Sequence, residues 1–156
     1  MSTVEVYIAA QDLIDSMIPD YATEAVERVL SLGVSKMQRY AETHHRFNSR
    51  TGTLVSAISS QVYGLSGRLY IDDFLAPYGH YVHNGQRSWS PDPFITDAFD
   101  ALSGELARDI RDTVATMEVK KSADELAVMM ALFLASEKDK EDDKKEIVDA
   151  IESESI

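Results

Sequence analysis

Apolar side chains recur along this chain with two different periods, and that change of period limits the folds open to it more than any other feature. Val4, Val6 and Ile8 alternate with Glu5 and Tyr7, the period-two pattern of a half-buried strand. Ile58, Ser60 and Val62 alternate in the same way with Ser59, Gln61 and Tyr63. Gly64 to Gly67 supplies a turn, and Arg68 to Asp72 returns with Leu69 and Ile71 on one face, so this stretch reads as a hairpin. Between these stretches the spacing becomes three and four. Leu13, Ile14, Met17 and Ile18 form a short helical turn that Pro19 ends. Asp20 is then placed to cap a long helix running to about Arg46, with Val26, Val29, Leu30, Gly33, Met37, Tyr40, Ala41 and His44 as its buried stripe. A glycine in mid-helix costs propensity, so Gly33 implies a close helix crossing or a contact with the sheet.

A third strand is expected around Tyr78 to His83, followed by an exposed loop, Asn84 to Pro91. Asp92-Pro93 is a helix start, with aspartate as the cap and proline at the first helical position. Phe94, Ala98, Leu102, Leu106, Ile110, Val114 and Met117 then make one stripe, and this second long helix is expected to end near Glu118. Ser122 and Glu125 have the spacing of a capping box opening a third helix, in which Leu126 to Ala135 is apolar all round and needs cover on every side. The composition then changes to EKDKEDDKKE, read as a solvated helix or a mobile tail. Ile147, Val148 and Ile151 beyond it keep a helical spacing suited to docking. The reading is an α+β fold: residues 1–118 form one domain of two long helices packed on a small antiparallel sheet, and residues 119–156 a helical, acidic C-terminal extension.

Charge excludes several function classes. The 156 residues carry 27 acidic and 15 basic side chains, a net of -12. From Lys120 onward six basic residues stand against eleven acidic ones. Gripping nucleic acid without sequence preference needs the opposite sign. With no cysteine there is neither a disulfide framework nor thiol chemistry. The opening MSTVEVYIAA has neither a basic segment nor an apolar signal core, so folding in a reducing cytoplasm without export is expected. The run from Leu126 to Ala135 is about half of the ~20 residues that span a bilayer, so no transmembrane helix and no membrane partner are expected.

Little in the chain points to catalysis. His80 and His83 are three apart, and in an extended segment they would face opposite ways, which disfavours a shared metal ion. His44 and His45 sit at a helix end, where the dipole favours an imidazole in any case. No serine lies in a G-x-S-x-G turn, and Gly64-x-x-Gly67 lacks the lysine of a phosphate-binding loop. Pairs such as Asp72-Asp73 and Asp142-Asp143 are what a chain this acidic contains by composition alone. No enzyme activity, metal or cofactor is expected. The unusual feature is the loop before the second long helix, which holds Arg87 and the only tryptophan, Trp89, two residue types that commonly anchor interfaces. It is read as a contact with another subunit or partner, against the alternative that Trp89 folds back onto the core.

The order of these pieces resembles the tail-completion, or head-to-tail joining, proteins of long-tailed bacteriophages. Members of that family open with a V-x-V strand and a long helix, continue through a T-G-x-L turn, a hairpin and a Y-A-x-Y-V-E-x-G-T segment, and enter the last helix at P-x-P-F with an alanine one turn on. Here Val4 and Val6 open the chain, and Thr51, Gly52 and Leu54 match the turn. Tyr78, Tyr81, Val82 and Gly85 match the segment, and Pro91, Pro93, Phe94 and Ala98 the helix start. Gly79, His83 and Gln86 depart from the pattern, standing where alanine, glutamate and threonine are usual. The resemblance extends from Val4 to Val114, and the part from Lys120 onward has no counterpart in it.

The resemblance implies a structural virion protein of the neck, assembled in the host cytoplasm. It would form a homo-oligomeric ring of sixfold or twelvefold symmetry between the portal and head-tail adaptor proteins of the filled head and the tail terminator or tail tube protein, with no catalysis and no cofactor. A tail terminator or head-closure protein of the same neck, or a soluble adaptor for a host protein, are the alternative readings. On this basis Tyr81, His83, Gln86, Arg87 and Trp89 are the expected interface residues. Packaged DNA would pass through the ring without specific binding, along a lumen made acidic by Asp97, Asp100, Glu105, Asp109 and Asp112, unless the charge serves solubility alone.

Overall fold

The computed structural model describes residues 4–48, 51–86 and 90–154. The fold is α+β, and the chain divides into two compact units, Met1–Met117 and Glu118–Ile156. In the first unit, strand β1 (Glu5–Ala9) leads directly into a single helical turn, α1 (Ala10–Ile14), which Asp15 ends in the left-handed conformation at φ 51°. A 3-10 turn over Asp20–Ala22 precedes the long helix α2 (Thr23–Thr43). After α2 come the short helix α3 (Thr53–Ala57), the hairpin β2 (Ile58–Tyr63) and β3 (Ser66–Ile71), the short helix α4 (Gly79–Asn84), and helix α5 (Phe94–Glu154).

The sheet is antiparallel in the order β1-β3-β2, so the last strand of the hairpin is the central one. The register pairs Val6 with Leu69 and Ile8 with Gly67 on one side of β3, and Ile58 with Ile71 and Ser60 with Leu69 on the other. Period-two alternation then puts Ile8, Ile58, Leu69 and Ile71 into the core. On the opposite face Arg68 donates to Gln61 at 3.0 Å and to Glu5 at 3.2 Å, and lies over the Tyr70 ring. Helix α2 lies across β2 and β3, and the early turns of α5 join the same core. Val26, Leu30, Val34, Met37 and Ala41 of α2 are buried, as are Phe94, Ile95, Ala98, Leu106, Ala107 and Ile110 of α5. Gln38 ties α2 to the edge strand, accepting from the Ser60 hydroxyl and donating to the Ile58 carbonyl. Gly33 is the close helix crossing expected of it, because a Cβ there would collide with the side chain of Leu106 on α5.

Several expectations are corrected. Helix α2 ends at Thr43 rather than near Arg46, and Asp20 opens the 3-10 turn without a side-chain capping bond. His44 is exposed and stacks on Tyr40, while Val34 takes a place in the buried stripe. The segment Tyr78–His83 is helical, not a third strand. Gly79 and His83 are buried and Val82 half-buried while Tyr81 between them is exposed, a three-and-four spacing that a helix gives and a strand, which would turn Tyr81 inward with Gly79 and His83, does not. The expected stop near Glu118 and restart at Ser122 do not occur, because α5 runs through both. Neither proline nor glycine follows Gly104, so nothing in the backbone chemistry interrupts the helix, and Lys121 pairs with Glu125 one turn on instead of a cap forming. Within Glu118–Ser153 every residue is exposed, so the apolar run from Leu126 to Ala135 lacks the cover expected for it. Among the described residues no helix is long and apolar enough to cross a membrane.

Candidate functional site

Three segments of the first unit meet around Asp92: the turn after α2, helix α4, and the entry to α5. Asp92 was expected to cap α5, but the helix begins at Phe94 and the carboxylate is spent elsewhere. It is buried, and its Oδ2 accepts the backbone N–H of Arg46 at 2.6 Å and that of Phe47 at 2.8 Å. Its own backbone N–H donates to the Val82 carbonyl of α4 at 3.1 Å, and the Arg46 guanidinium donates to the Pro91 carbonyl. One aspartate thereby holds together three pieces of chain far apart in sequence. Charge-assisted bonds of this kind are about twice as strong as neutral ones.

Phe94, two residues on, is the centre of an aromatic cluster. Phe47 meets it edge-on at 4.9 Å and His83 at 5.3 Å, while His45 stacks on Phe47. A cleft of about 390 Å³ opens beside this cluster, lined by Arg46, Phe47, Val82, Ser90, Pro91 and Asp92.

His83 was expected at an interface, yet it is only 6% exposed and belongs to this core. Its Nδ1 lies 2.9 Å from Asn84 Oδ1, which makes Nδ1 the protonated nitrogen, and its buried Nε2 has no hydrogen-bond partner among the described residues. Burial pushes its pKa below the ordinary 6.5, opposed by the bond to Asn84 and by the charges of Asp92 and Asp97. On helix α4 His80 and His83, three apart, are neighbours on the helix surface rather than on the opposite faces a strand would give them. What separates them in α4 is environment, since the His80 ring lies against Tyr81 while His83 packs on Phe94. Among the described residues no group of three or more histidine or acidic side chains is placed to hold a metal.

Gly79, one departure from the family pattern, is a packing requirement in this chain. A Cβ there would stand 2.7 Å from Ile71 Cγ2 and 3.1 Å from Leu54 Cδ1, so α4 can lie on β3 and α3 only without one.

The outer side of the same region is apolar and aromatic. Phe74 is 92% exposed, and Leu75, Tyr78 and Tyr81 are also exposed. Pro77, Tyr78, His80 and Tyr81 line a shallow cleft of about 430 Å³. Tyr81 and Gln86 are therefore accessible, as an interface role requires. Arg87 and Trp89 lie outside the described residues. Phe74 and Leu75, which the sequence reading missed, carried a detectable signal: two large apolar residues directly after Asp72-Asp73, where the strand pattern has ended.

Of the acidic residues assigned to a lumen, Asp97, Asp100, Glu105 and Asp112 are exposed and Asp109 is half-buried. They do not form an unbroken acidic surface, since Glu105 pairs with Lys36 at 3.3 Å and Arg108 and Arg111 are interleaved with them along α5. In comparison with known proteins, no family model, curated protein or solved structure matches this chain.

Proposed function

We propose that this chain is a structural virion protein that joins the DNA-filled head of a long-tailed phage to its tail, acting as a ring of identical copies in the neck. The observation that carries the reading is the apolar surface one copy leaves in water. Phe74, Leu75, Tyr78 and Tyr81 are exposed on the first unit, and Met129, Leu132, Phe133 and Leu134 on the second. Large apolar side chains left in water in such number mark contacts with other chains. The ordered motifs from Val4 to Ala98 supply the virion context by resemblance, and head-to-tail repetition of one contact generates a ring by closure.

Within such a ring the exposed α5 carboxylates, Asp97, Asp100 and Asp112 foremost, face the axis and keep phosphates from adhering, with portal or adaptor proteins on one side and the tail terminator or tube on the other. The test is composition and phenotype. Virions made from the genome that carries this gene contain the chain at a fixed ring multiple, and its deletion leaves filled heads and finished tails unjoined. Particles that lack the chain, or that join heads to tails without it, overturn the reading.

A further inference from the structure

The second unit carries a stripe of apolar and charged residues with heptad spacing. Along Glu118–Glu154 the positions spaced alternately four and three apart are apolar at Leu126, Met130 and Phe133, charged at Glu137, Lys140 and Lys144, and apolar again at Ile147 and Ile151. A spacing that averages 3.5 keeps these positions on one side of a supercoiled helix pair. All are exposed, and the five apolar ones are each more than half accessible to water.

We propose that this helix pairs antiparallel with the same helix of a second copy, and that this is how the free protein covers the seam. A parallel, in-register pair would set Glu137 against Glu137, Lys140 against Lys140 and Lys144 against Lys144, three layers of like charge in the middle of the seam. Reversing one helix removes all three conflicts at a single register. Leu126 then faces Ile151 of the second copy, Met130 faces Ile147, Phe133 faces the aliphatic stem of Lys144, and Glu137 faces Lys140. By two-fold symmetry each layer occurs twice. Glu137 and Lys140 already pair within one chain at 3.4 Å, and the second copy supplies each with another opposite charge. Beside the seam the same register sets Ala127 against Val148 and Met129 against Ala150, apolar against apolar, and nearer the centre Leu134 against Glu141 and Ser136 against Asp143. Val128 and Leu132 lie on the far side of the helix, uncovered by the pair.

The chain has no native cysteine, so introduced thiols report without background. Full-length protein carrying Leu126→Cys and Ile151→Cys, oxidised and digested, is expected to yield peptides linking position 126 to position 151. One helix cannot supply that link, since the two positions lie roughly 38 Å apart along its axis. Links of 126 to 126 overturn the antiparallel pairing, and a chain that sediments as a monomer at every concentration overturns the pairing altogether.

Charge reversal gives the second readout, free of any crosslink. Glu137→Lys sets lysine against Lys140 and should weaken the dimer about tenfold or more, and adding Lys140→Glu should restore it to within about threefold. In a parallel pair Glu137→Lys would merely exchange one like-charge layer for another, so unchanged affinity also overturns the proposal. None of these outcomes bears on whether the chain is a virion component, which the particle composition decides separately.

Discussion

The early turns of α5, from Phe94 to Met117, and its later turns, from Glu118 to Glu154, are made of similar residue types and meet different surroundings. In the first stretch Phe94, Ile95, Ala98, Leu106, Ala107 and Ile110 are buried in the core they share with α2 and the sheet, with charged residues kept to the outside. In the second, Met129, Leu132, Phe133 and Leu134 are as apolar and stay in water. Burial is thus a property of what stands opposite a helix, not of the helix itself. A stretch that one copy leaves uncovered is where association with another chain is to be tested.

The largest effect expected from this contrast comes from one residue type placed in both stretches. Phe94→Ala should destabilise the first unit by ~3–5 kcal/mol, through lost transfer energy and the cavity left beside Phe47 and His83. Phe133→Ala should change it by no more than ~0.5 kcal/mol. Hydrogen exchange of the β3 amides, which reports the first unit alone, distinguishes the two. Equal effects would abolish the contrast.

Next in size is Asp92→Ala, which strips the acceptor from two backbone N–H groups in the turn after α2. A loss of ~2–3 kcal/mol is expected, with Asp92→Asn retaining part of it because the amide still offers one oxygen. A change below ~0.5 kcal/mol in a denaturant titration would mean that the three segments are held by packing alone.

A smaller effect follows from His83. Its pKa is lowered in the fold by burial, so the folded state binds a proton less readily than the unfolded chain. The fold accordingly keeps its full stability above the unfolded value of 6.5 and loses some as the pH falls below it, the loss levelling off once the buried ring also protonates. His83→Leu should flatten that decline between about pH 6.5 and pH 5, above the range where most carboxylates titrate. An identical pH profile in the variant would show that the buried ring does not sense the proton. The smallest change is expected from ending the chain after Met117. Since Glu118–Ser153 is wholly exposed, protection of the β3 amides should shift by under ~1 kcal/mol, while the association tested by the cysteine variants is lost.

The sequence by itself determined the pieces whose signal is local. Alternation placed β1 and the hairpin, three-and-four spacing placed α2 and the buried side of α5, and Gly33 marked the crossing where Leu106 of α5 lies against α2. These follow from which side chains can share one face of a strand or helix, a question neighbouring residues answer among themselves. Tertiary structure decided the rest. Tyr78 to His83 carries a pattern that fits a short strand or a short helix, and its surroundings take the helix, with Gly79 seated on Ile71 and Leu54 and His83 on Phe94. Asp92 has the local chemistry of a helix cap, but two backbone N–H groups more than forty residues earlier in the chain take its carboxylate. Ser122 and Glu125 have the spacing of a capping box, yet a cap forms only where a helix has reason to begin, and the turn before it never ended. For Tyr78–His83 and Asp92 the deciding partner lies in another element, where neither periodicity nor propensity reaches, whereas at Ser122 the uninterrupted helix settles the matter locally.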